Sequence, residues 1–351
     1  MRRRSFLAWL GLAMCMPPRV RAVEYPAVTP RALRFPFDHG AHPLFRTEWW
    51  YITGWLGEAR GFQITFFRHR PGVAEDTPSA FAPVQLIFAH AAVSDPARGA
   101  LLHDQRIARA GFGLAGAREG DTEVWIDDWR LVRGEDGYRG RIAAAEFAFD
   151  LRFLPTQPIL LQGEAGVSRK GPRREEASYY YSRPHLAVQG ELQLAGRRET
   201  VRGHAWLDHE WSTEYLAAEA AGWDWTGLNL DDGAALMAFR IRAKDGSVRW
   251  AGGAYRDAQG RRSVYGPGDI RFEPLRRWRS PRSDIEYPVA MRVHLGPHTF
   301  TLEPLMDDQE LDARTSAGTI YWEGAMQVLR EGRRAGRGYM ELTGYTEPLR
   351  M

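Results

Sequence analysis

Apolar and polar residues alternate with a period of two through most of this chain, and the runs are short. That is the signature of half-buried β-strands rather than helices. The alternation, together with β-branched and aromatic content, predicts strands at residues 49–56, 62–69, 84–93, 123–131, 141–153, 178–181, 186–194 and 199–207. Further strands are predicted at 223–230, 235–242, 248–255, 289–295, 299–305, 318–329 and 338–345. Glycine punctuates the runs, and Glu135-Asp136-Gly137 and Asp231-Asp232-Gly233 read as hairpin turns. Residues 23–47 read as extended and irregular, because Pro26, Pro30, Pro36 and Pro43 forbid long helices. Residues 213–221 alone read as a helix, with Ser212 placed to cap it and Gly222 to end it.

So many strands with no alternating helices predict an all-β protein of antiparallel barrels or sandwiches. One small barrel uses about eight strands, so two packed barrels fit better than one. A weak internal repeat agrees. Thr53-Gly54 followed by Phe67-Arg68 resembles Thr226-Gly227 followed by Phe239-Arg240, each after a tryptophan-rich stretch. The predicted division is 1–22, 23–199 and 200–351.

Residues 1–22 form a unit of their own. Arg2, Arg3 and Arg4 precede an apolar run at 6–16, and Val20-Arg21-Ala22 resembles a cleavage site. Arg3-Arg4-Ser5-Phe6-Leu7 has the twin-arginine pattern, so export to the periplasm or beyond is expected. An ordinary secretory signal and a lipid anchor at Cys15 are the alternatives. The apolar run is too short to span a membrane, which needs about 20 residues, so no transmembrane helix is expected after signal removal. The segment also changes the charge. The whole chain is +3, but residues 1–22 hold five arginines and no acid, leaving 42 basic against 44 acidic residues, a net −2. The basic runs at 169–174 and 330–337 have acids in or beside them and read as solvated loops or edges. With no clustered basic face, nucleic acid is not an expected partner. Cys15 is the sole cysteine, which excludes a disulfide framework and a thiolate metal site.

The densest chemistry lies in His204-Ala205-Trp206-Leu207-Asp208-His209-Glu210-Trp211. In a strand, His204, Trp206, Asp208 and Glu210 face one side while Leu207, His209 and Trp211 face the other. The first face is either the wall of a site, offering an acid beside a ring that can stabilise a cation, or a hydrogen-bonded network joining two domains. His209 and Glu210 point apart, so a shared metal ion is not expected, and no HExxH motif exists. Glu48-Trp49-Trp50-Tyr51 is the second cluster, echoed by Tyr179-Tyr180-Tyr181 and Tyr321-Trp322-Glu323. It reads either as barrel core or as an aromatic pocket for an elongated apolar ligand. In such a pocket a buried Glu48 or Glu323 would become a proton donor, because burial raises a carboxyl pKa. His90 is a lone histidine in an apolar strand. No GxSxG elbow occurs, and neither Ser178 nor Ser212 has a nucleophile's context.

These residues carry a resemblance. Glu48-Trp49-Trp50-Tyr51, Phe88-Ala89-His90, Tyr179-Tyr180-Tyr181-Ser182, Trp206-x-Asp208-His209-Glu210-Trp211, Trp223-Asp224-Trp225 and Gly338-Tyr339-x-Glu341-Leu342-Thr343-Gly344-Tyr345 are similar to the AttH-like family of secreted proteins. That family is related to the carotenoid 1,2-hydratases, and its members resemble two lipocalin-like β-barrels. The resemblance implies a site around His204, Trp206, Asp208 and Glu210. It implies a ligand-binding wall that includes Glu48, Trp49, Trp50, Tyr51, His90, Tyr180, Trp211 and Trp225. The expected ligand is apolar, lipid- or isoprenoid-like, and an envelope transport system is a possible partner. The protein is then either a binder or an acid catalyst of hydratase or isomerase type on a polyene. Members are also labelled secreted hydrolases, though no hydrolase nucleophile is evident here. No cofactor and no metal are expected.

Overall fold

The structure is a computed structural model that describes residues 23–346. The export signal and Cys15 lie outside the described residues. Among those residues the protein is nearly all sheet, and its only helices are three single 3-10 turns. One antiparallel sheet has thirteen strands and the other has ten. In the first, Thr47–Leu56 pairs with Arg60–His69 on one side and with Arg197–Glu214 on the other. The ends of this sheet, Leu102–Arg109 and Ala115–Ala117, come back together, so it nearly closes into a barrel. The second sheet curls likewise, with Ile270–Arg279 lying against Ala235–Ala243 and Val248–Arg256. The two-barrel architecture expected from the strand pattern, lipocalin-like as the family resemblance implies, is therefore present.

Each barrel has its own apolar interior. Trp50, Ile64, Phe66, Leu151 and Leu207 fill the first, and Leu236, Met291, Phe300, Trp322 and Met340 fill the second. A third cluster lies between the barrels, with Tyr51, Trp55, Tyr180, Trp206, Trp225 and Phe239 at its centre. Rings of this size each bury about 150–250 Å², so the seam is a cohesive interface. Directional bonds fix its alignment. Trp55 Nε1 donates to the Gly338 carbonyl (3.1 Å), and Asn229 Nδ2 donates to the Ala205 carbonyl (3.1 Å).

Several local expectations are corrected. The predicted helix at 213–221 is absent: Arg197–Glu214 continues as strand, and a turn at 217–219 leads into Ala220–Leu230. A nine-residue helix is marginal on its own. Here the sheets claim its ends, with Glu214 opposite Ala177 and Ala220 opposite Ala243. Ser212 donates its hydroxyl to the Ala177 carbonyl (2.6 Å) instead of capping a helix. Gly222 permits a close strand approach, since a Cβ there would lie 2.4 Å from the Thr343 carbonyl oxygen. Residues 123–131 and 141–153 each read as one strand. The first breaks at Asp127, whose φ of 52° turns the chain between Glu123–Ile126 and Trp129–Gly134. The second region belongs to the hairpin Gly137–Ala143 and Phe147–Pro155. Conversely, 178–181 and 186–194 form one strand, Ala177–Leu194, with a shift in register between Arg183 and Leu186. Pro184 has no N–H to give the ladder there, and His185 adopts φ 53°. The first sheet runs to Glu214, and the change of sheet falls at 215–219.

Candidate functional site

Strand alternation divides the conspicuous motifs between two places. In Thr47–Leu56, Trp49 and Tyr51 face the seam while Glu48 and Trp50 face into the first barrel. In Arg197–Glu214, Trp206, Asp208 and Glu210 face the seam, while Leu207, His209 and Trp211 face inward. Cross-strand register then assembles a polar row on the outside of the first barrel: Gln105, His90, Thr65, Tyr51, Asp208 and Ser182 are successive neighbours. The second barrel presents Glu323, Glu341, Trp225 and Phe239 in the same way. Where the two surfaces meet, a cavity with about 700 Å³ of empty space, its mouth included, opens between them. It lies between the barrels and not inside either one.

Its walls are mainly aromatic, with Trp49, Phe67, Tyr180, Tyr215, Trp223 and Trp225 among the rings. Gly227 lets two indoles meet at the edge of this space. A Cβ there would stand 2.7 Å from the ring of Trp225 and 3.0 Å from that of Trp206. Four carboxyl groups also line the cavity: Asp208 and Glu210 from the first barrel, Glu323 and Glu341 from the second. One cation joins them. Lys170 Nζ sits 2.7 Å from Glu210 Oε1 and over the faces of Tyr180 (4.7 Å) and Phe239 (4.2 Å). Ser178 also donates to Glu210.

The acids differ in how they are held. Asp208 accepts from Tyr180 Oη (2.5 Å), Trp206 Nε1 (2.7 Å) and Ser182 Oγ. Those bonds favour the carboxylate, yet burial outweighs them and pushes its pKa up to about 7. Burial likewise raises Glu341 to about 7, against a bond from Trp223 Nε1 (3.0 Å) that favours the charged form. Burial first, and the neighbouring Glu341 second, raise Glu323 well above the usual carboxylate range. Neither oxygen of Glu323 has a hydrogen-bond partner, although the Tyr51 and Tyr321 hydroxyls lie close enough to act on it. Tyr51 Oη and Gln63 Oε1, in the same cavity, are also unpartnered and buried. Buried polar atoms are normally paired. This end of the cavity therefore offers donors and acceptors to whatever enters it.

Glu48 behaves in the opposite way. It lies inside the first barrel, where it accepts from Arg68 Nε (2.8 Å) and the His42 backbone N–H (2.8 Å). It also faces His42 Nδ1 (2.7 Å) and His209 Nε2 (2.9 Å). Burial opposes its charge, but His42 and Arg68 prevail and hold it well below the usual range. Glu48 is thus a fixed anion, not the proton donor that an apolar pocket would make of it. Ligand-type atoms of His42, Glu48 and His209 come within 4.8 Å of one another. However, His42 also places Nε2 3.1 Å from Asp38 Oδ1, so both its nitrogens face carboxylates. Against burial, those carboxylates raise its pKa. A metal ion there would have to displace this ion-paired network.

The predicted site residues are therefore dispersed. Trp49, Tyr51, Tyr180, Trp225, Asp208 and Glu210 line the cavity. Trp206 stands behind Asp208. Glu48, Trp50 and Trp211 belong to the first barrel's interior, where His42 stacks on Trp211 (3.8 Å) and Trp50 on His209 (4.7 Å). His204 is exposed near the middle of its strand. His90 lies behind the cavity wall, bonded to Tyr321 Oη (2.8 Å) and Ser316 Oγ (2.8 Å). Lys170 was hidden in a basic run that reads as a solvated loop, and Glu341 stood in a motif that carries the family resemblance without being singled out as a site residue.

Fold and site define a class: paired lipocalin-like barrels with an acid-bearing, aromatic cavity at their seam. The chain matches the AttH-like family over residues 26–345, and it belongs to that family. A protein of Nitrosomonas europaea named for AttH shares 56% identity, with TM-score 0.86, over 92% of this chain and 100% of that one. Kievitone hydratase of Nectria haematococca has the same fold at 13% identity, with TM-score 0.67, over 93% of this chain and 97% of its own. CghA is similar at 13% identity and TM-score 0.51, covering 92% and 96%. No curated protein matches the chain.

Proposed function

We propose that the seam cavity binds a small, largely apolar, unsaturated molecule and protonates it, giving a hydratase- or isomerase-type reaction. The observation that carries this reading is Glu323, a buried carboxyl with two free oxygens aimed into an aromatic cavity. Its raised pKa keeps a proton at neutral pH. Asp208 has both oxygens occupied and is suited to hold and polarise Tyr180 rather than to give a proton away. In hydration, Glu323 gives its proton to one alkene carbon and the other becomes cationic. The faces of Trp49 and Trp225 stabilise that cation. Water adds to it, and the proton that water loses passes to ionised Glu341 or Asp208. In isomerisation the same cation loses a neighbouring proton to ionised Glu341 or Asp208, and no water adds. The fold shared with a protein named kievitone hydratase supports a hydratase reading.

A second reading is a binder without turnover, favoured by the aromatic walls. The two separate in one experiment. The protein is incubated with a panel of polyenes in ¹⁸O-water, and diphenylhexatriene fluorescence reports occupancy. Label incorporation that Glu323→Gln abolishes, with probe binding intact, supports catalysis. Binding with neither label incorporation nor a shifted double bond in the recovered polyene supports the carrier. Failure of both would overturn the site assignment.

We also propose that the protein acts outside the cytoplasm, supported by the twin-arginine pattern of residues 1–22. Among the described residues, no helix is long and apolar enough to cross a membrane.

A further inference from the structure

The second barrel covers only part of the first barrel's outer face. Its Tyr321 and Ser316 bond to His90, and Ser316 also bonds to Gln105, so the row that holds His90 and Gln105 is closed over. The next row on that face is Trp49, Phe67, Phe88 and Ile107, each directly opposite the one before. Trp49 and Phe67 line the cavity, and Phe88 stacks on Phe67 (4.5 Å, 11° between the rings). Ile107, beyond them, is 48% exposed. The aromatic lining therefore runs out of the seam onto open surface.

There it meets the loops at 70–85 and 110–114, which leave the same end of the barrel. Phe81 of one loop touches Phe112 of the other (5.1 Å), and the two are 64% and 58% exposed. Leu114 is exposed beside them. Arg109, two residues beyond Ile107 on the same face, lies over both rings (4.7 and 5.5 Å) and donates to the Phe81 carbonyl (2.9 Å). Among the described residues no acid pairs with Arg109. Phe112 is held at φ 55°, a left-handed backbone that suits glycine or asparagine and is costly for a large ring. An exposed ring on a strained loop tip serves a contact outside the barrel better than the barrel's own core.

We propose that this end of the first barrel docks on an anionic phospholipid bilayer, and that the cavity's ligand passes from the lipid over Phe88 and Phe67 into the seam. The route for the ligand rests on the reading of the cavity as an apolar site, and the docking does not. Two features favour a bilayer over a protein partner. The apolar side chains stand on loops that can enter the acyl boundary, with Arg109 left to reach headgroup phosphates. The patch also continues into a cavity whose aromatic walls suit a molecule that dissolves in lipid.

Sedimentation with vesicles tests this on the chain from residue 23, which holds every described residue and lacks the apolar leader. It should bind phosphatidylcholine vesicles that contain phosphatidylglycerol, and bind pure phosphatidylcholine about fivefold more weakly. Arg109→Gln should remove most of that preference. Phe112→Asn, at ease at φ 55°, should weaken binding about tenfold with no loss of thermal stability. Leu275→Ser, on an exposed strand of the second barrel, should bind as the parent does. Absence of vesicle binding, or binding that Phe112→Asn leaves unchanged, overturns the docking. So does self-association that Phe112→Asn dissolves while vesicles stay unbound, which would make the patch an interface between copies of this chain. Diphenylhexatriene in vesicle-free buffer reports on the cavity alone, and its failure to bind would overturn the ligand's route while leaving the docking to the vesicle result.

Discussion

Replacing Glu341 by glutamine should make the protein more stable at pH 8 and no more stable at pH 4. Glu341 is half-buried, and desolvation of its carboxyl in the cavity wall lifts its pKa from 4.5 to about 7. Below pH 4.5 the carboxyl is protonated in both the folded and unfolded chains, so it contributes no difference. As pH rises past 4.5 the unfolded chain ionises while the folded one stays neutral, and stability falls until about pH 7. The gap between 4.5 and about 7, at about 1.4 kcal/mol per pH unit, amounts to about 3 kcal/mol. The nearby Asp208 and Glu210 carboxylates add to the rise, so the variant also relieves their mutual repulsion. A glutamine oxygen can still accept from Trp223 Nε1, so the local packing survives. Urea unfolding of both proteins at several pH values reads the result. Any pH-independent cost of the amide shifts every point equally, so the test is the slope of the difference. The advantage of the variant should grow by about 3 kcal/mol between pH 4 and pH 8. A flat difference, or one that shrinks with pH, would refute the claim that the seam holds a neutral acid.

Other perturbations probe the two polar clusters, the indole pair and the leader. Arg68→Met leaves Glu48 without its guanidinium and should cost about 3–5 kcal/mol in urea unfolding. Adding Glu48→Gln to that variant should recover part of the loss, since the two residues form one network. Gly227→Ala would put a methyl 2.7 Å from Trp225, and the displaced indole should weaken diphenylhexatriene binding at a stability cost of about 1–3 kcal/mol. Lysine at both Arg3 and Arg4 should stop export, as read by cell fractionation, and continued export would point to the general secretory route.

Much of this architecture was legible in the alternation of the chain. Period two placed Asp208 and Glu210 opposite His209 and Trp211, and the fold keeps that division. What alternation cannot tell is which face meets a second barrel. Glu48 and Glu323 both read as acids among aromatics. Only the partners brought by distant chain, His42, Arg68 and His209 for one and none for the other, make the first an anion and the second a neutral acid. Lys170 was illegible for the same reason: a basic loop becomes a buried cation only when Phe239 of the other barrel closes over it. The false helix at 213–221 marks the place where one sheet hands over to the next.

The internal repeat reaches further than its few residues suggested. Glu48 stands directly opposite Arg68 in one hairpin, and Asp224 stands directly opposite Arg240 in the other. Both acids are buried, and each accepts from its arginine's Nε, at 2.8 Å and 2.6 Å. Outside each barrel the next residue is the tryptophan of the cavity, Trp49 or Trp225. Each hairpin thus pins an ion pair on its inner face and offers an indole on its outer face. Packing two such hairpins face to face encloses aromatic walls automatically. The asymmetry needed for chemistry must come from elsewhere, and it does: Asp208 and Glu210 enter from the pairing partner of the first hairpin, Glu341 from the pairing partner of the second, and Glu323 from one strand beyond. The repeat builds the walls of the cavity, and the neighbouring strands supply its acids.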